Sequence, residues 1–140
     1  MTMALPAVTQ DVLLEQFDGV GSSLLHAELS YHASDPWAVT MVFHVHDRQV
    51  SWTFARELLV TGLGEPTGEG DIHVRPSLDE EGRAAVLIEL CTPSGLAYVQ
   101  ISAIELYMFV DRMLAAVPPG TESEHTDLDS ALAELLDVEA

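Results

Sequence analysis

The sequence of 140 residues contains no lysine and only five basic residues, all of them arginine. These arginines are spread along the chain at positions 48, 56, 75, 83 and 112. Proteins bind phosphate backbones and anionic membrane surfaces through clustered Lys and Arg. Because 23 acidic residues outnumber the arginines and give a formal charge of −18, nucleic acid and anionic membranes are poor candidates for partners.

Two further absences concern disulfides and membranes. Cys91 is the single cysteine, so no intrachain disulfide can form. Its place in the apolar run 84–91 predicts a buried thiol. The N-terminus lacks the basic start and apolar stretch of a signal peptide, and no segment approaches the roughly 20 apolar residues of a membrane span. We therefore expect a cytoplasmic protein without membrane insertion.

The chain does contain enough apolar side chain for a folded core. Hydrophobic residues make up 48% of the sequence and charged residues 20%, which is typical of globular proteins. The length suits one domain. We predict a single domain over 1–140, with disorder at 1–7.

Alternating apolar and polar residues predict a β-rich first part of the chain. The clearest pattern is a hairpin of strands 38–46 and 50–55 joined by residues 47–49. Other strands are predicted at 8–17, 24–32, 71–75, 84–91 and 96–101. A short helix is predicted at 55–61, where Gly62 stops it, and a loop at 64–70.

Two helices are predicted near the C-terminus. The longer one covers 101–117 and ends before Pro118, because proline cannot continue the hydrogen-bond ladder. A loop at 118–126 and a C-terminal helix at 127–138 follow. Strands first and helices after them predict an α+β domain with an antiparallel, barrel-like sheet.

The long predicted helix is apolar around almost its whole circumference, with only three charged residues after position 104. A helix on the surface of a monomer shows one apolar stripe. We therefore predict burial on both sides, by the home sheet and by another subunit. The predicted oligomer contacts are Tyr107, Phe109 and Met113, whichever side faces away from the sheet.

Candidate chemistry in the sequence is sparse. No nucleophile elbow is present, and a chain without lysine has no phosphate-binding P-loop. His44 and His46 lie on one face of a predicted strand and can supply two metal ligands, but a third and fourth ligand are not identified. We predict no catalytic residue and no cofactor. A metal- or small-molecule-binding domain built on His44 and His46 stays open as the alternative to a protein-binding domain.

Several blocks, in order and at matching spacing, resemble one known family. They are Asp35-Pro36-Trp37-Ala38-Val39, then 50–59 with Gly62-Leu63 and 70–74, and finally Val117-Pro118-Pro119-Gly120-Thr121-Glu122 with 127–129. These blocks are similar to the SsgA-like family of actinomycete sporulation and cell-division regulators. The resemblance covers the chain from position 8 to its end.

The resemblance implies a fold similar to the whirly-type nucleic-acid-binding proteins and a homo-oligomer, namely a trimer. It also implies a non-catalytic regulator of sporulation-linked division that helps recruit or position the tubulin-like protein FtsZ at septa, with SsgA-type proteins as further partners. Whirly-type relatives bind single strands through basic, aromatic surfaces. The charge of −18 predicts that this chain has the fold without that activity.

The predicted partner surface consists of Pro118, Pro119, Gly120 and Thr121. Each proline fixes its φ near about −65°, and Gly120 can adopt a turn that other residues resist. An FtsZ-type partner is, by family expectation, acidic as well, so attraction must come from short-range contacts. Raised salt should therefore strengthen the association or leave it unchanged.

Overall fold

The computed structural model describes residues 7–17 and 19–124. The strands in these ranges are β1 (Ala7–Phe17), β2 (Ser22–His32), β3 (Ala38–Val45), β4 (Arg48–Ala55), β5 (Thr67–Glu69), β6 (Ile72–Leu78), β7 (Ala84–Thr92) and β8 (Gly95–Ser102). The helices are α1 (Glu57–Gly62) and α2 (Ala103–Ala116). Every strand predicted from the sequence is confirmed, with its ends shifted by a few residues.

All strands belong to one antiparallel sheet in the order β4-β3-β2-β1-β8-β7-β6-β5. β1 pairs with β2 along its whole length but with β8 only from Glu15↔Gln100 to Phe17↔Tyr98. This short junction lets the two halves of the sheet curl toward each other, so that Phe43 of β3 and Leu90 of β7 line one apolar pocket. The predicted α+β class with an antiparallel sheet is confirmed as an open half-barrel with few helices.

The core lies on the concave face of the half-barrel. Successive strand residues point to opposite faces, and the inward ones are almost fully buried, as for Leu14, Leu29 and Ile88. Where β1 and β8 separate, α2 covers the opening and packs against β1, β7 and β8. Gln10 fixes the start of this helix, because its side-chain amide donates to the Glu105 carbonyl at 2.8 Å.

The short helix and the strand after it differ from the prediction. Gly62 is the last residue of α1 rather than its stop, and its backbone lies so close to β6 that a Cβ would overlap Val74. The predicted loop 64–70 contains β5, which pairs with β6 through Thr67↔Val74 and its neighbours. Three residues are too few to show a period of two, so the sequence did not reveal this strand.

Cys91 is exposed, so its predicted burial is wrong. On β7, Val86, Ile88 and Leu90 point into the core. Cys91 shares the opposite face with Glu89, two positions before it. That charged neighbour was the available sign that this face meets solvent.

The structure describes only part of the two predicted terminal segments of the domain. Residue 7 belongs to β1 rather than to a disordered segment, and residues 1–6 lie outside the described ranges. Residues 122–124 have helical backbone within the predicted loop 118–126, whereas the predicted helix 127–138 lies outside the description. Within the described ranges, neither helix is long and apolar enough to cross a membrane.

Candidate functional site

The predicted partner surface forms an exposed turn directly after α2. Val117 is fully buried, whereas Pro118, Pro119 and Gly120 are exposed. Gly120 has a φ of 90°, a left-handed conformation that favours glycine. The backbone N–H and the hydroxyl of Thr121 both donate to the Pro118 carbonyl, at 3.1 Å and 2.7 Å. The segment is therefore a defined turn, and we call 118–121 the proline turn.

Glu122 follows the proline turn and points back into the protein. Its Oε1 accepts hydrogen bonds from the Gly120 N–H at 2.6 Å and from Arg56 Nη2 at 2.8 Å. The side chains of Arg56 and Glu122 are only 1% and 8% exposed. Removing one member of such a buried pair leaves an uncompensated charge in the interior. The pair thus holds the proline turn in place from its buried side.

Arg56 connects the proline turn to three strands. Its Nη1 donates to the Val117 carbonyl at 2.9 Å and to the Tyr31 hydroxyl at 3.1 Å. Its backbone N–H donates to the Trp37 carbonyl at 2.8 Å. Arg56, directly after β4, therefore joins the end of β2, the residue before β3 and the residue after α2.

Tyr31 completes this buried cluster. Its hydroxyl donates to the Pro36 carbonyl at 2.9 Å, and its ring centroid lies 5.6 Å from the Arg56 guanidinium carbon, within cation–π range. Burial raises the pKa of Tyr31 above its ordinary value of 10.0, although the positive charge of Arg56 acts in the opposite direction. The phenol therefore stays neutral and can donate and accept at once.

Three blocks of the family resemblance meet at this cluster. Asp35-Pro36-Trp37 contributes two carbonyl acceptors, the central block contributes Arg56, and the last block contributes Glu122 and the proline turn. Trp37 remains 52% exposed beside them. The charged groups bind each other and the backbone, so the arrangement supplies a rigid surface rather than a free acid or base.

Sequence reasoning missed Arg56 and Glu122 as site residues, because 66 positions separate them. The only available sign was an arginine between Phe54 and Leu58 in a chain with very few basic residues. Local periodicity does not show which distant carboxylate neutralises such a group.

The structure separates the three predicted oligomer contacts. Tyr107 is 55% exposed and lies on one outward face of α2 with Ile104 and Met108. Phe109 and Met113 have no exposed surface, so their prediction as oligomer contacts is wrong. They lie on the side of α2 that packs on the sheet.

His44 and His46 do not share a strand face, contrary to the prediction. β3 ends at Val45, and His46 lies in the hairpin turn with a φ of 53°. His44 lies opposite His26 on β2 instead. Across residues 7–17 and 19–124, no three His, Cys, Asp or Glu side chains come close enough to hold a metal ion.

Comparison with known proteins gives one consistent family. The family model for the Streptomyces sporulation and cell division protein SsgA matches residues 25–122. The sporulation-specific cell division protein SsgB of Streptomyces coelicolor is 46% identical over 111 residues, which cover 79% of this chain and 80% of the relative. SsgB of Kineococcus radiotolerans is 43% identical over 79% of this chain and 67% of its own length.

Solved structures agree with the fold. An SsgB structure, from work that correlates SsgB mutations with longitudinal cell division during sporulation of Streptomyces coelicolor, superposes with a TM-score of 0.83 at 38% identity. The match covers 89% of this chain and 99% of the other. The SsgA-like sporulation-specific cell division protein of Thermobifida fusca gives a TM-score of 0.87 at 37% identity, over 96% of this chain and 98% of the other.

Proposed function

Because the chain belongs to the SsgA family of sporulation and cell-division proteins, we propose that it is a non-catalytic regulator that recruits or positions FtsZ at septation sites. It acts in the cytoplasm, at division septa, through protein contacts with FtsZ and with SsgA-type proteins. The observation that carries the proposal is the proline turn, an exposed segment held in one conformation by the buried pair of Arg56 and Glu122.

A preformed turn favours protein binding for an energetic reason. Ordering a loop on association costs free energy, and a surface that is already ordered avoids this cost. Pro118, Pro119 and Gly120 present little charge of their own, so they can approach an acidic partner. Arg56 donates hydrogen bonds to the Trp37 carbonyl and to the Val117 carbonyl, so the exposed Trp37 lies near the proline turn. Its ring suits a partner surface, because aromatic side chains are enriched at interfaces.

The proposal includes self-association through α2. Ile104, Tyr107 and Met108 form an apolar outward face on this helix, each more than half exposed. Contact with further copies would bury this face, and the family resemblance points to a trimer. In a threefold ring each copy contacts the next through two different patches, and this face of α2 would form one of them.

Gly120→Arg tests the proline turn. An arginine side chain there would project from the partner surface, because the glycine Cβ position has nothing within 4 Å. We expect association with purified FtsZ, measured by co-sedimentation or pull-down, to fall at least about tenfold. Association of the unsubstituted protein should persist or strengthen as salt is raised, since screening removes repulsion between acidic chains.

The left-handed φ requires a matched control. A residue other than glycine at such a φ costs about 1–3 kcal/mol, so Gly120→Arg should also lower stability. Gly82 has a φ of 79° in an exposed turn with similarly open space. Gly82→Arg should therefore show a similar loss of stability and normal FtsZ association. Equal loss of association in both variants, or steep dissociation by salt, would contradict the proposed surface.

A further inference from the structure

β4 forms one edge of the half-barrel, and no other strand of the described residues pairs with its outer side. It pairs with β3 in unbroken register from Val45↔Arg48 to Ala38↔Ala55. Its eight residues include no proline or lysine, and the register shows no bulge. Proteins usually protect exposed edges with these features. Arg48 at its first position is the one charged residue of β4, and the remaining seven residues carry none of these features, so this edge is a template for strand addition.

The register identifies which backbone groups face outward. Arg56 N–H donates to the Trp37 carbonyl, and these residues continue the pairing of Ala55 with Ala38. Hydrogen-bonded pairs alternate along antiparallel strands, so Trp52 and Phe54 direct their N–H and C=O groups toward β3. The groups that face the open edge belong to Gln49, Ser51, Thr53 and Ala55.

A cleft of about 370 Å³ lies beside this edge, between β4 and the turn from β5 to β6. The residues that line the cleft include the apolar Trp52 and Leu58 and the acidic Glu69 and Asp71. No arginine lines it among the described residues. The cleft therefore combines unpaired backbone groups, apolar contacts and uncompensated negative charge.

We propose that the β4 edge binds an extended segment of a partner protein in which apolar and basic residues alternate. The segment adds a strand to the sheet, with its apolar side chains toward Trp52 and Leu58 and its basic side chains toward Glu69 and Asp71. Alternation follows from the strand period of two. Ala55 at the end of this edge directly precedes Arg56 of the buried cluster, but the inference does not depend on the proposed function.

Charge argues against a second copy and against the C-terminal segment of this chain as occupants. In a second copy, β4 carries a single basic residue, Arg48, on a chain whose net charge is −18. The segment 125–140 contains acidic residues and no Lys or Arg. Either would place like charges near Glu69 and Asp71, which is unfavourable.

The probe is an acetylated, amidated peptide of alternating valine and arginine, titrated into the full chain labelled with ¹⁵N. We expect saturable shifts at the β4 edge, and hydrogen exchange at Gln49, Ser51, Thr53 and Ala55 slowed at least about tenfold. Absence of protection at these amides with peptide at millimolar concentration overturns the proposal. Protection that instead rises with protein concentration, without peptide, identifies a second copy as the occupant and also overturns it.

Ser51→Pro removes one outward N–H and leaves the bonds to β3, at an edge position where proline is tolerated. We expect the peptide affinity to fall at least about tenfold, whereas Ser51→Ala stays within about twofold. Equal binding by Ser51→Pro and Ser51→Ala refutes strand addition.

Two N-methylated peptides give an answer that needs no protein variant, should Ser51→Pro not fold. In the first peptide, methyl groups on the alternate amides that face β4 block the hydrogen bonds to β4. In the second peptide, methyl groups on the other amides, which face away, leave these bonds free. Only the first peptide should lose binding, and equal behaviour of the two refutes strand addition. Glu69→Gln with Asp71→Asn should weaken the unmethylated peptide at least about threefold at low salt. No effect refutes the basic character of the segment.

Discussion

Replacing Glu122 with glutamine tests whether the buried ion pair stabilises the domain and the proline turn. The substitution keeps the side-chain shape but removes the charge opposite Arg56, which is 1% exposed. Loss of one partner from a buried pair costs about 3–5 kcal/mol. Glutamine retains one oxygen that can accept from Arg56 or from Gly120, so we expect a loss near the lower end, about 3 kcal/mol. For a chain of this size that lowers the melting temperature by about 10 °C.

An exposed ion pair in the same protein provides the control. Arg83 pairs with Glu81 on the surface, where the two side chains are 72% and 68% exposed. Exposed pairs contribute about 0–1 kcal/mol, so Glu81→Gln should change stability little. Urea denaturation of both variants measures the two losses of unfolding free energy on one scale. An unchanged slope of this free energy with urea concentration shows that the variants unfold from a folded state comparable to that of the unsubstituted protein.

A double-mutant cycle separates the pair from its members. Arg56→Met and Glu122→Leu should each be strongly destabilising, because each leaves one buried charge alone. The double variant removes both charges, so its loss should be smaller than the sum of the single losses by at least about 2 kcal/mol. Additive losses, or a Glu122→Gln variant as stable as Glu81→Gln, would refute the view that this pair holds the turn.

Three further outcomes follow from the same structure. Light scattering should give about three times the chain mass of 15.2 kDa. Tyr107→Glu should shift the measured mass toward that of the monomer, because the substitution places a charge on the outward face of α2. A monomer mass for the unsubstituted protein contradicts this prediction. Single-stranded DNA should bind more weakly than about 10⁻⁴ M at physiological salt, since Arg56 is buried and Arg83 is paired; a micromolar anisotropy shift contradicts it. Burial raises the folded pKa of Tyr31, so its contribution to stability is complete below the ordinary value of 10.0 and is lost as pH rises beyond it. Urea denaturation against pH should show this loss, and Tyr31→Phe should remove it.

The strands were predictable because each one carries its own pattern. In β3, Val39, Met41 and Phe43 alternate with half-buried or polar neighbours, and the structure buries those three. Such a pattern needs only a pleated backbone with one face toward the core. β5 had no pattern to show, because its three residues gain their strand conformation from pairing with β6.

The orientation of α2 could not be predicted for a related reason. Its residues are apolar around nearly the whole helix, so the sequence offers no preferred side to the sheet. The packing of α2 against β1, β7 and β8 buries Phe109 and Met113 and leaves Tyr107 outside. Two of the three predicted oligomer contacts were therefore core residues.

By itself, the sequence determined the antiparallel strands, the helix that ends before Pro118, the acidic character and the family of this protein. These properties depend on local periodicity, on the missing N–H of proline and on composition. The tertiary structure alone decided that Arg56 meets Glu122 across 66 positions and that β4 is left as an open edge. These features depend on strand order and sheet curvature, which decide which distant residues meet. The sequence around each residue does not indicate which distant residue it will contact.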